Sequence, residues 1–142
     1  MIMVQSRKEK AYKFRYNKLV RDRIPEIIKR EGLLIQKKVL GAAAFRRELF
    51  KKLTEEVGEL AEAETKKEVA SELADLQEII SSLAACYGLK LSELEVIKRQ
   101  KKRRNGGYDK KIFIGHVAYL PGADTAWLEY HLKDPKKFPL IK

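Results

Sequence analysis

The chain has little of several things, and each shortage narrows what it can be. A single cysteine, Cys86, in 142 residues excludes an intrachain disulfide and fits a reducing, cytoplasmic setting. Two histidines, His116 and His131, lack the spacing of a metal pair and make no credible dyad with Cys86. No apolar run approaches the roughly 18 residues that a membrane span needs, and the opening MIMVQSRKEK has no apolar core of a secretory signal. There is no internal repeat, no low-complexity segment and no Walker-type loop; Gly106-Gly107 reads as a helix stop. The expectation that survives is one soluble domain, long enough to bury a core.

What the chain does have is charge, unevenly spread. The net charge is +11, with a pI near 9.7. Yet nine of the twenty acidic residues fall between Glu55 and Glu78. That window carries a net charge of −7, so the remainder sums to +18. A basic exterior points to an anionic partner, either a nucleotide, a nucleic acid or an acidic surface. A concentrated block of carboxylates points to a divalent cation that neutralises them.

Periodicity places these residues on helices. Leu49, Leu53, Val57 and Leu60 recur at helical spacing within about 43–64, and Val69, Leu73, Leu76, Ile80, Leu83 and Tyr87 alternate steps of four and three within about 67–87. With almost no loop between them, the two predict an antiparallel hairpin. A shorter helix is expected within 17–32, with Pro25 at its start or at a kink and Gly32 as its stop. Ser92 and Glu95 carry a capping-box signature for a further helix ending at Asn105-Gly106-Gly107. Residues 34–40 and 111–120 read as loop or extended, and 125–132 as a short helix behind Asp124.

At about 100° per residue, Glu56 falls inside the apolar arc of the first long helix, Glu59 lies on its shoulder, and Glu55 points further away. Glu72 and Asp75 lie beside the stripe of the second. A carboxylate pressed into an apolar seam costs several kcal/mol unless it is neutralised or bound. Two i,i+3 pairs, Glu56/Glu59 and Glu72/Asp75, would bring four oxygen donors to one point, a set suited to Mg²⁺ with Mn²⁺ as a substitute. Glu62, Glu64, Glu68 and Glu78 read as a solvated face. Asn17, Lys18, Arg21 and Arg23 form a second candidate set for phosphate or sugar, against a solvated turn in which Asp22 pairs an arginine. Lys98, Lys101 and Lys102, from the run KRQKKRR, are candidate phosphate contacts, a nucleic-acid stripe or a solvated helix end. Trp127 and Tyr130 could stack a base, although packing is their commoner use.

The segment EEVGE, a gap of twelve residues and ELAD resembles the EExxE…ExxD signature of the all-α, MazG-like nucleoside triphosphate pyrophosphohydrolases. YNKLVRDRIPEII, Tyr16 to Ile28, and the later GGYDKKIFI look like the ends of a phosphoribosyl-ATP pyrophosphohydrolase-like, house-cleaning branch. The resemblance spans Tyr16 to Ile114. It implies Mg²⁺-dependent cleavage between the α and β phosphates, with Glu56, Glu59, Glu72 and Asp75 as metal ligands and Glu55 orienting or deprotonating the attacking water. It departs at Asn105, where the branch carries an arginine, so no phosphate contact is carried over there.

The expectation is therefore an all-α, MazG-like helical bundle with a basic tail (1–11), a pyrophosphohydrolase domain (12–114) and a C-terminal extension (115–142), forming a homodimer or dimer of dimers. Phosphoribosyl-ATP is an alternative substrate. A basic nucleic-acid- or nucleotide-binding protein, or a metal-sensing module without turnover, are the rivals from other classes.

Overall fold

The structure, a computed structural model, describes residues 11–123 and 125–141. Every regular element among the described residues is a helix: α1 (Ile24–Arg30), α2 (Ala42–Glu62), α3 (Lys66–Cys86), α4 (Leu91–Asn105) and α5 (Ala126–Leu132). None of them is long and apolar enough to cross a membrane. The chain divides into two compact units, Met1–Gln100 and Lys101–Lys142. The expected basic tail falls, apart from Ala11, outside the described residues, as does Asp124.

Local chemistry accounts for the helix ends. Pro25 occupies the first turn of α1, where a missing N–H costs nothing, and Gly32 closes the segment at φ 78°. Between α2 and α3 only residues 63–65 intervene. Thr65 and Glu68 form a reciprocal capping box there: Thr65 Oγ1 accepts from the Glu68 N–H at 3.2 Å, and Glu68 Oε2 accepts from the Thr65 N–H at 2.9 Å. Glu68, read above as merely solvated, thus starts a helix. The box expected at Ser92 and Glu95 does not form. Glu93 accepts from the Lys90 N–H at 2.6 Å, so α4 begins two residues earlier, at Leu91, and Glu95 pairs with Lys98. Residues 34–40 and 111–120 form neither helix nor strand.

The principal helix contact in the first unit is α2 against α3. Its buried apolar side chains are Leu49, Ile79 and Ala84, with Leu53, Leu60, Val69, Leu76 and Leu83 half-buried. The seam is rotated relative to the sequence stripes. Val57, Leu73, Ile80 and Tyr87, expected inside, are exposed at 53%, 47%, 47% and 56%. Ile79 and Ile80 are adjacent and both fit a four–three alternation, so periodicity alone cannot choose between them.

The rotation sorts the two helices into flanks. With Leu49 and Ile79 facing the seam, steps of about 100° send Phe50, Val57, Leu73, Ile80 and Tyr87 to one side and Glu55, Glu59 and Asp75 to the other. Contacts at both ends agree. Arg46, early in α2, lies 5.4 Å over the ring of Tyr87, which follows the last residue of α3. Glu56 and Glu59, late in α2, meet Glu72, early in α3.

Candidate metal centre

Glu56 is 6% exposed, and its burial follows from its place in the apolar arc of α2. It is not left unpaired: Lys52, one turn earlier, reaches its Oε1 at 2.6 Å. Lys52 was not singled out in the sequence, although a lysine four residues before a buried glutamate is a readable i,i+4 signal. The amine of Lys52 is held above its ordinary value. Burial pulls it down, but the hydrogen bonds and charges of Glu56 and Glu55 together outweigh that pull.

Glu56, Glu59 and Glu72 each offer a carboxylate oxygen, and these oxygens lie within 4.8 Å of one another. Glu72 Oε2 is buried and has no hydrogen-bond partner. Its carboxyl is pushed above the usual range, first by loss of solvent, then by its hydrogen bond with Glu56 and the negative charges of Glu59, Glu56 and Asp75. Three convergent carboxylates, one of which carries an orphaned oxygen, fit a hard divalent cation with open positions for water and substrate. Beside them opens a hollow of about 330 Å³ lined by Glu59, Glu62, Ala63, Glu64, Glu68 and Glu72.

The remaining expected ligand, Asp75, lies outside this trio and is engaged by Arg21. Glu55 is likewise held by Lys18 at 2.8 Å, with Lys52 at 3.5 Å. The Lys18 hydrogen bond leads in keeping the Glu55 carboxyl below its ordinary value. The same bond raises the Lys18 amine, and Asp75 raises the Arg21 guanidinium. So the segment before α1 docks on the acidic flank by two ion pairs, 37 and 54 residues apart in sequence. Asp75, rather than the neighbouring Asp22, takes the arginine. Asn17 supports this path with a left-handed backbone at φ 44°. Arg23 precedes α1, makes no side-chain cap and is exposed.

Lys98 pairs with Glu95 at 2.7 Å on its own helix. Lys101 and Lys102 belong to the second unit, where a Cβ on Gly107 would come within 3.3 Å of Lys102 Cε. No family model, curated protein or solved structure matches this chain.

Proposed function

We propose that the chain is a Mg²⁺-dependent nucleotide pyrophosphohydrolase of the all-α, MazG-like kind, built on an antiparallel α2–α3 hairpin. It would hydrolyse a nucleoside triphosphate to the monophosphate and pyrophosphate. The observation that carries this reading is the convergence of Glu56, Glu59 and Glu72, with an orphaned buried oxygen on Glu72, inside the segment that resembles the family signature. Glu56, Glu59 and Glu72 would hold the metal, with Asp75 as a further donor once Arg21 releases it. When bound, Mg²⁺ would neutralise phosphate charge and acidify a bound water.

The chain's own residues supply the rest. Glu55, held ionised by Lys18, is a weak base and is better suited to orienting a water through an accepted hydrogen bond than to removing its proton outright. One water adds across the α–β anhydride, the bridging oxygen leaves with pyrophosphate, and the released proton passes to solvent. Lys18 and Arg21 are cations already beside the carboxylates, so a triphosphate could recruit them as charge-assisted donors. Asn17 and Arg23 flank them in the chain. Lys98 remains a candidate phosphate contact from α4. A second copy of the chain is the proposed partner, covering the apolar flank of α2 and α3.

The test is pyrophosphate and monophosphate release from a panel of normal and damaged nucleoside triphosphates, and from phosphoribosyl-ATP, with Mg²⁺ and with chelator. The expected result is chelator-sensitive release of both products, falling by about 100-fold or more in Glu56→Ala while the helix content is unchanged. Release that survives chelator or Glu56→Ala would remove the acidic cluster from the reaction.

A further inference from the structure

The second unit holds a cavity of about 560 Å³ lined by Arg104, Asn105, Ala126, Trp127 and Tyr130. Its composition is that of a site for an aromatic anion. Trp127 is 65% exposed, and Tyr130 stands edge-on to it at 5.7 Å between ring centres. Behind them lies a half-buried aromatic layer. Phe138 packs at 5.4 Å from Tyr130 and 4.6 Å from His131. The His131 ring in turn shares a hydrogen bond of 2.7 Å with the hydroxyl of Tyr119. This layer fixes α5 from one side, so packing accounts for His131, Phe138 and Tyr119. It does not account for Trp127, whose broad ring is left facing solvent at the cavity.

Charge adds the second half. Arg104 Nε donates to Asn105 Oδ1 at 3.3 Å, which steadies the guanidinium and leaves its terminal nitrogens free to donate. Among the described residues no carboxylate pairs with Arg104, nor with Lys101, Lys102 or Arg103. The unit as a whole carries ten basic and four acidic side chains. An exposed aromatic face beside an unpaired guanidinium binds a flat π system that carries negative charge.

We infer that this cavity binds a phosphorylated nucleoside, its base stacked on Trp127 and Tyr130 and its phosphate held by Arg104. The site lies wholly within residues 101–142 and uses none of the residues of the acidic cluster. The ligand chemistry could arrive as a free nucleotide or as one residue of a single strand, because every base offers a stacking face.

Trp127 is the only tryptophan of the chain, so its fluorescence reports this cavity alone. The experiment titrates the full chain, in chelator, with AMP, with adenosine, with ribose 5-phosphate and with an oligothymidylate. The expected result is saturable quenching by AMP or by the oligonucleotide, and far weaker quenching by ribose 5-phosphate. Tighter, salt-sensitive binding of the oligonucleotide assigns the site to a strand; preference for AMP assigns it to free nucleotide. Tyr130→Ala should weaken binding by about tenfold or more, and Tyr130→Phe should restore it. Arg104→Ala should erase the advantage of AMP over adenosine. Absence of quenching by both AMP and the strand, or equal quenching by ribose 5-phosphate, overturns the inference. Should Tyr130→Ala lose helix content, the base-dependence measured on the unaltered chain still decides. Chelator silences the proposed hydrolysis, so failure of either reading leaves the other standing.

Discussion

At the scale of the residue, Glu72 shows how a site can be costly to the fold that carries it. Its Oε2 is buried without a partner, beside two further carboxylates. In the absence of a cation that arrangement opposes folding, because an unsatisfied buried acceptor keeps its desolvation penalty and like charges repel. Glu72→Gln removes a charge and adds two donors. It should raise the Tm of the chain in chelator at neutral pH and abolish the further rise that Mg²⁺ gives the unaltered protein. Differential scanning calorimetry in chelator and in Mg²⁺ measures both. A variant that melts lower than the parent in chelator would show that Glu72 is not under strain. The buried acid itself was legible in the sequence, since Glu56 falls in an apolar arc by simple helical arithmetic. Its counter-ion and the pairs Lys18–Glu55 and Arg21–Asp75 were not foreseen. The last two join residues 37 and 54 positions apart, and no local pattern encodes such a meeting.

At the scale of the element, the start of α3 is the most exposed to test. Thr65 and Glu68 satisfy orphan N–H groups at the turn that brings Glu72 beside Glu59. Thr65→Ala should cost about 1 kcal/mol, read as a lower midpoint in urea with an unchanged slope. The pH dependence follows from Glu68. Its carboxylate accepts from the backbone N–H groups of Thr65 and Glu64 and from the Thr65 hydroxyl, and these hold it below the ordinary 4.5. A carboxyl lowered in the folded state contributes stability that is present above 4.5 and is lost as the pH falls through the lowered value. The stability gap between the parent and Glu68→Ala should therefore be full at neutral pH and close on acidification below 4.5. A gap that widens on acidification would contradict the capping role. Leu49, 4% exposed at the centre of α2, tests the seam itself: Leu49→Ala should cost about 2–5 kcal/mol. Both long helices were readable from their apolar period. Their rotation was not, because Ile79 and Ile80 satisfy the same alternation, and only packing against α2 selects Ile79.

At the scale of the whole molecule, the question is what covers the apolar flank. Three apolar side chains are buried among the described residues, Leu49, Ile79 and Ala84, in a chain that is 44% hydrophobic. Phe50 and Val57 on α2, and Leu73, Ile80 and Tyr87 on and just after α3, recur at steps of seven on the side away from Glu55, Glu59 and Asp75. Steps of seven keep a seam aligned along two packed helices, and a second copy presents the same steps in return. Burying this flank between two copies would leave the acidic flank of each open to its ligand. Ile80 is 47% exposed, so Ile80→Glu should change the stability of an isolated chain by no more than about 0.5 kcal/mol. In a dimer the same change buries two unpaired charges at the centre of the interface and should dissociate it. Sedimentation velocity of the parent should give twice the chain mass of 16.4 kDa, and that of Ile80→Glu the single mass with helix content retained. A parent that sediments as a single chain at micromolar concentrations would sink the idea, and so would a variant that remains dimeric. Because the flank lies across the seam from Glu55, Glu59 and Asp75, Mg²⁺ should leave the sedimenting mass unchanged while raising the Tm.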